Sequence, residues 1–148
     1  MIKIGNKSFH SIVVADFEFL AKNGEIPCPI CMVAKDLVTG QKWSIWEDEL
    51  AQLTRPPFDV GSESLFVAYY ASAELGCFRA LGWPPPCNVL DLYTEFRTHM
   101  NGKKPAHGFG LLGALAHFCL NPMGSQEKKE MRQLALRGGP WTPEEEAR

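Results

Sequence analysis

A chain of 148 residues with 45% hydrophobic and 22% charged residues has the composition of one globular domain, which excludes a disordered tail or a fibrous repeat. Its net charge of −2 excludes nucleic-acid binding through bulk positive charge, so a polyanion would meet local lysines or metal ions held by carboxylates. The sequence has no signal-peptide core, and no apolar run approaches the roughly 20 residues that cross a bilayer. Its five cysteines are an odd number, which favours reduced thiols over disulfides. Together these features predict a cytoplasmic protein.

The first half of the chain predicts three strands. Residues 11–19 (SIVVADFEF) are rich in β-branched and aromatic side chains, and residues 26–37 (IPCPICMVAKDL) alternate imperfectly. A Thr39-Gly40 turn precedes a third strand over residues 42–46. Short connections between the three favour an antiparallel meander, followed by a short helix over residues 47–53.

The second half predicts a strand–helix–strand unit. Residues 65–69 (LFVAY) are apolar enough for a buried strand, and residues 88–92 (NVLDL) for a second one. Ser72 is a candidate cap for the helix between them, whose apolar face includes Phe78 and which Gly82 ends. Such a unit is typical of parallel strands joined by a right-handed crossover.

Two more helices follow. One covers the apolar residues of 111–119 and stops at Asn121-Pro122, and the other runs from Ser125 to the glycines before Pro140. A meander joined to a strand–helix–strand unit predicts an α/β fold, in which a mixed sheet carries helices on its faces.

The first candidate site residues are two carboxylates in the first long strand. Asp16 and Glu18 are two residues apart, so they project from the same face of a strand while Phe17 packs on the other. Adjacent carboxylates repel each other, and a hard divalent cation is what tolerates such a pair. The alternative is that both acids lie at a solvated strand end, and a bare D-x-E pattern by itself favours that alternative.

A third acid changes this balance. Glu74 lies in the first turn of the helix that follows residues 65–69, where the helix dipole alone is sufficient to favour an acid. If that strand lies beside the first one, Glu74 emerges at the same end of the sheet as Asp16 and Glu18, where α/β proteins usually bind ligands. Three acids can then hold two metal ions about 4 Å apart for phosphodiester cleavage.

Two long segments carry a family resemblance. VADFEF with its meander, then LFVAYYASAELGCFRALGWPPP and NVLDLYTEFR, resemble the 3′–5′ proofreading exonuclease domain of family A DNA polymerases, in particular the phage- and plasmid-type DNA polymerase I proteins. The resemblance runs from about Ile12 to the end of the chain, and the AYYASAELGCFRALGWP segment is much more specific than D-x-E. That group belongs to the DEDD exonucleases, so the resemblance implies an RNase H-like fold.

The resemblance also implies a site. Asp16 and Glu18 correspond to the first-motif acids, with Asp16 shared between two Mg²⁺ or Mn²⁺ ions, and Glu74 corresponds to the second-motif acid, although aspartate is usual there. The implied activity is hydrolysis at the 3′ end of single-stranded DNA, in a parent protein with a polymerase domain. No membrane partner is implied.

One motif of the family is absent. The third motif, Tyr-x-x-x-Asp or His-x-x-x-Asp, has no counterpart, because no aspartate follows Asp91 and His117 precedes Asn121 at that spacing. Thr142, Pro143 and Glu145 form the start of another helix with almost no body. We therefore expect residues 1–148 to be a single exonuclease-like domain that is incomplete at its C-terminus, and that can be inactive by itself.

Other residues have functional and structural interpretations. Cys28 and Cys31 resemble half of a zinc site, but a second pair is lacking and small core residues are the favoured interpretation. Asp91 is a further candidate metal ligand, with a position next to the site or a helix-capping role favoured. Phe19 and Tyr70 are candidates to stack on unpaired bases.

Basic residues give the weakest signal. Lys103 and Lys104, and likewise Lys128, Lys129 and Arg132, have the charge to touch DNA phosphates, but exposed lysines are usually only solvated surface.

Two other functions remain open at this point. A ribonuclease of the same fold, of the RNase D type, would use the same three acids. A catalytically inactive exonuclease fold kept as a scaffold or binding module is favoured by the absent third motif and opposed by the retained acids.

Overall fold

The computed structural model describes residues 1–22, 24–120, 125–138, 140 and 142–146. The chain divides into two compact units, Met1–Leu92 and Tyr93–Arg148. The first unit contains seven strands and two helices among its described residues: β1 (Ile2–Ile4), β2 (Lys7–Phe9), β3 (Ser11–Leu20), β4 (Cys28–Asp36), β5 (Lys42–Trp46), α1 (Glu47–Leu50), β6 (Ser64–Ala68), α2 (Ala71–Ala80) and β7 (Val89–Asp91). That the two units make one exonuclease-like domain stays a prediction.

A five-stranded mixed sheet organises the first unit. Its strand order is β5-β4-β3-β6-β7, with β3, β4 and β5 antiparallel and β3, β6 and β7 parallel. The predicted meander and the predicted strand–helix–strand unit are both confirmed by these pairings. A separate hairpin of β1 and β2 was not predicted, although Gly5, with its positive φ of 58°, forms its turn.

The alternation of side chains along β3 divides the sheet into two packed faces. Val13, Ala15 and Phe17 join the larger core, which α1 and α2 cover on one face. Members of this core from the helices and their connections are Leu50, Phe58, Ala71, Cys77, Phe78 and Trp83. On the other face, Ile12 packs with a smaller cluster that contains Phe9, Leu65 and Val67.

One predicted helix start is wrong. Helix α2 begins at Ala71, with Tyr70 at the N-cap position and no side-chain capping bond, so Ser72 lies inside the helix rather than capping it. The reason is a left-handed residue at Tyr70, which starts the helix two residues earlier than a cap at Ser72 would. The predicted end is confirmed, because Gly82 has a φ of 68° immediately after the last turn.

Helix α3 (Leu92–Met100) starts at the last residue of the first unit, and its other residues belong to the second unit. The second unit also contains α4 (Leu111–His117), α5 (Ser125–Arg137) and α6 (Pro143–Glu146). Phe96 of α3 is buried and its ring lies 5.9 Å from that of Phe109 and 5.5 Å from that of His117. The predicted start at Ser125 is confirmed. The predicted stop at Asn121-Pro122 falls outside the described residues.

The predicted capping box at the end of the chain is confirmed. The Thr142 N–H donates to Oε2 of Glu145 at 2.9 Å, and the Glu145 N–H donates back to Oγ1 of Thr142 at 3.3 Å. Arg137 of α5 adds two bonds to the same carboxylate, at 3.2 and 3.0 Å. This short helix is therefore tied to α5 through Glu145.

In the part of the chain that the structure describes, no helix has both the length and the apolar character to cross a bilayer.

A buried carboxylate fixes the junction between β3 and the β4–β5 turn. Asp36 is 5% exposed and accepts bonds from the Val38 N–H (2.8 Å), the Ser11 hydroxyl (3.0 Å) and the Ile12 N–H (3.4 Å). Burial raises the pKa of Asp36, but these hydrogen bonds outweigh it and hold the pKa below the usual 3.8. The ionised carboxylate therefore stabilises the folded state.

We predict that Asp36→Ala lowers the free energy of unfolding by about 2–3 kcal/mol, because buried donors lose a charged acceptor. The pKa of Asp36 is lower in the folded protein than in the unfolded chain. The stabilisation that its charge gives the folded state is therefore complete at pH values above the pKa in the unfolded chain. It is lost as the pH falls through the folded value. In urea unfolding, the difference in the free energy of unfolding between wild type and variant should therefore become smaller as the pH is lowered below about 4. Asp48→Ala, at an exposed position of α1, is the matched control and should change stability little.

Candidate metal centre

The two acids of β3 lie on the face opposite to the larger core. Phe17 is 3% exposed and packs edge-on against Phe78 and Trp83, with 6.1 Å between ring centres in each pair. Asp16 is exposed and Glu18 is half-buried. The predicted alternation is confirmed, since Phe17 anchors the strand while its two acidic neighbours project from the other side.

The unequal lengths of β3 and β6 create the place for Glu74. Strand β6 pairs with β3 only as far as Val14, whereas β3 continues to Leu20. Beyond Val14, the N–H of Phe17 donates to Oε2 of Glu74 at 3.1 Å instead of to a strand. The side chain of Glu74, 3% exposed, therefore reaches the backbone between Asp16 and Glu18.

Burial and like charge dominate the electrostatics of this site. Desolvation raises the pKa of Glu74 to about 8, the negative charges of Asp16 and Glu18 add to the rise, and the Phe17 N–H works against it. The bond to the Phe17 N–H thus brings the carboxylate of Glu74 to the backbone between Asp16 and Glu18, and the charges of both acids act on it. The role of the three residues as metal ligands stays a prediction.

Two thiols border the acids. Cys31 pairs with Glu18 across β3 and β4, and burial, followed by the charges of Glu18 and Asp16, raises the pKa of its thiol to about 11. Cys77, one turn after Glu74 in α2, has its pKa raised to about 12, by burial and by the charge of Glu74. Neither thiol is readily ionised, so oxygen atoms are the available anionic donors here.

The turn before α2 has an unusual backbone. Tyr70 has a φ of 73° and a ψ of 57°, a left-handed conformation that is rare for a bulky residue. Its N–H donates to Oδ1 of Asp91 at 3.1 Å, and its carbonyl accepts from the Ala73 N–H at 3.0 Å. Both backbone groups of Tyr70 are thus held just before the turn that carries Glu74.

The two aromatic candidates have different environments. Tyr70 is 53% exposed, so its ring is accessible. Phe19 is half-buried and packs against the larger core, next to a register shift between Glu18 and Phe19 in the pairing with β4. Binding of unpaired bases by either ring stays a prediction.

The cysteine motif does not form a zinc site in the described structure. All five cysteines are free, with Cys28 exposed and Cys31 half-buried, so the prediction of two core cysteines is wrong for Cys28, which lies at the first position of β4. Among the described residues, no three His, Cys, Asp or Glu side chains form a group arranged to hold a metal ion.

The donor chemistry of the three acids nevertheless suits a hard divalent cation. Carboxylate oxygens are the ligands that Mg²⁺ and Mn²⁺ favour, and a nearby positive charge would reverse the rise in the pKa of Glu74. Asp16 is exposed and Glu18 is half-buried, and the carboxylate of Glu74 is held at the Phe17 N–H. The three acids therefore have the donor chemistry of the metal that the sequence implies, and their role as its ligands stays a prediction.

Sequence reasoning missed two contacts at this site. The bond between Asp91 and the Tyr70 N–H joins residues 21 positions apart, and the position of Cys31 beside Glu18 depends on strand register. The only available signals were the acid at the end of a predicted strand and the cysteine in a neighbouring one.

Comparison of the chain with protein-family models, with curated proteins and with solved structures found no match. Any function assigned to the three acids must therefore be argued from this chain's own residues.

The raised pKa of Glu74 leads to a prediction about stability. Between pH 4.5, the usual value for this side chain, and about 8, the folded protein binds more protons than the unfolded chain. The free energy of unfolding should therefore decrease as the pH rises through this window. Glu74→Gln keeps an oxygen acceptor for the Phe17 N–H without the charge, so it should lack this decrease and be more stable than wild type at pH 8.

Thermal unfolding in the presence of a chelator, at several pH values from 4.5 to 8, checks this prediction. The control is Glu63→Gln, an exposed acid just before the opposite end of β6. Parallel pH profiles for wild type and Glu74→Gln would contradict it.

Proposed function

We propose that the protein is a metal-dependent 3′–5′ exonuclease domain of the DEDD type that acts on single-stranded DNA. The observation that carries the proposal is the meeting of Glu74 with two acids far from it in the sequence: the carboxylate of Glu74 is bonded to the backbone between Asp16 and Glu18. A buried carboxylate beside two others is destabilising without a functional partner, and such groups concentrate at active sites.

The architecture supports an RNase H-like fold. The sheet combines an antiparallel meander with a parallel strand–helix–strand unit, as the resemblance implies. The acids lie at the carboxyl end of β6 and beside the extension of β3, the region where α/β sheets usually bind ligands.

Each acid has a distinct part in the proposed chemistry. The exposed Asp16 and the half-buried Glu18 would supply carboxylates to two Mg²⁺ or Mn²⁺ ions, and Glu74 would supply a fixed one. When bound, such ions lower the pKa of water and neutralise charge on a phosphodiester. Glu18 would help to orient the attacking water, and Tyr70 has an exposed ring on which the terminal base would stack.

A polymerase domain in the parent protein is part of the proposal, because proofreading requires one. It rests on the resemblance alone. A ribonuclease with the same three acids is distinguished by its substrate.

The second candidate is a catalytically inactive scaffold or binding module. It is favoured because the described residues include no group of side chains arranged to hold a metal ion. The lack of a third-motif aspartate after Asp91 points the same way.

Binding of Mn²⁺ separates these two candidates. We predict that calorimetric titration at pH 7.5 detects binding to the wild-type chain, and that Asp16→Asn or Glu74→Gln weakens it at least about tenfold, because each removes a charged oxygen donor. The control Glu63→Gln should bind as wild type does. Absence of binding to the wild type would support the scaffold.

Digestion of labelled DNA tests the activity itself. For the parent protein, with Mn²⁺ and a 5′-labelled single strand, we predict stepwise shortening from the 3′ end that chelation abolishes. Asp16→Asn should reduce the rate by about a hundredfold or more, the usual contribution of an activated water. Equal rates for wild type and Asp16→Asn would rule the mechanism out, and a preference for RNA of the same sequence would favour the ribonuclease.

A further inference from the structure

We infer that Asp91 is a positioning residue of the three-acid site: its carboxylate holds Tyr70 in the left-handed conformation that directs Glu74 to Phe17. This inference deepens the proposed function and, for its effect on metal binding, rests on it. Asp91 itself is not assigned as a metal ligand.

The first step is the strain at Tyr70. A bulky residue with a φ of 73° lies outside its preferred backbone conformations, and such a residue persists only where its surroundings hold it. No side chain caps α2, so its first turn lacks the usual means of fixing a helix start. The Tyr70 N–H is instead held by Oδ1 of Asp91 at 3.1 Å.

The second step is the location of Asp91. It is the last residue of β7 and pairs with Ala68, the last residue of β6. Two strand ends therefore lie side by side, and the carboxylate from one reaches the chain leaving the other. Because β7 is fixed in the sheet, it gives the turn at Tyr70 a rigid reference point.

The third step leads from Tyr70 to the acids. The Tyr70 carbonyl accepts the Ala73 N–H at 3.0 Å, which sets the first turn of α2. Glu74 follows directly, and its Oε2 lies 3.1 Å from the Phe17 nitrogen. A change in the backbone at Tyr70 would rotate this turn and withdraw the carboxylate from its place between Asp16 and Glu18.

Hydrogen exchange of the full chain, in chelator, tests the positioning without any metal. Asp91→Ala should accelerate exchange of the Tyr70 and Phe17 amides about tenfold or more. This is the loss of protection expected when one hydrogen bond to a charged acceptor is removed. Asp91→Asn keeps an acceptor oxygen and should preserve most of the protection. Amides in the centre of β4 serve as the internal control and should not change.

Glycine at position 70 provides the decisive comparison. It adopts a φ of 73° without strain, so Tyr70→Gly should fold with an unchanged or higher midpoint of thermal unfolding. In that background, Asp91→Ala should accelerate Phe17 exchange much less than it does in the wild type. This comparison separates control of the turn from any general effect of Asp91 on stability.

Titration with Mn²⁺ then measures the consequence for the site. Asp91→Ala should weaken binding about tenfold, as removal of a supporting partner of a metal ligand usually does, and Tyr70→Gly should restore part of the loss. Phe17 and Tyr70 exchange unchanged by Asp91→Ala, or an effect just as large in the Tyr70→Gly background, would overturn the inference. Absence of Mn²⁺ binding to the wild type would refute only the proposed metal site, because the exchange results still decide the positioning role.

Discussion

The hydrogen bond from the Phe17 N–H to the carboxylate of Glu74 is the interaction on which the arrangement of the site depends. It joins β3 to α2 at the point where β6 no longer pairs with β3. A backbone donor that would have no strand partner is satisfied by a side chain, and that side chain is thereby fixed between two other acids. One contact thus satisfies a backbone donor at the sheet edge and holds the carboxylate of Glu74 at the backbone between Asp16 and Glu18.

The surrounding packing makes this contact possible. Phe17 is anchored in the larger core by Phe78 and Trp83, so the backbone that donates to Glu74 cannot shift easily. Phe78 belongs to the same helix as Glu74, and its burial fixes the distance of that helix from β3. The core therefore positions the acids although none of them belongs to it.

The electrostatics and the backbone geometry of the site oppose stability in the same small region. Glu74 is buried beside like charges, with its pKa raised to about 8, and Tyr70 occupies a left-handed conformation two residues after β6 ends. Unfavourable features of this kind concentrate at functional sites, where the surrounding structure over-determines them. Here Asp91, Phe17 and the buried face of α2 supply that constraint, and a divalent cation would relieve the repulsion among the acids.

Local patterns in the sequence determined the strands of the meander, the strand–helix–strand unit, the capping box at Thr142 and the opposite facing of Phe17 and its acidic neighbours. Such features depend on the two-residue period of strands and on side-chain bonds between near neighbours, both of which a sequence contains. Only the tertiary structure decided that α2 is capped at Tyr70 rather than at Ser72, that Asp91 contacts Tyr70 and that Cys31 lies beside Glu18. These depend on strand register and on how far one strand extends past its neighbour. No local pattern records those quantities, because they result from packing between segments far apart in the chain.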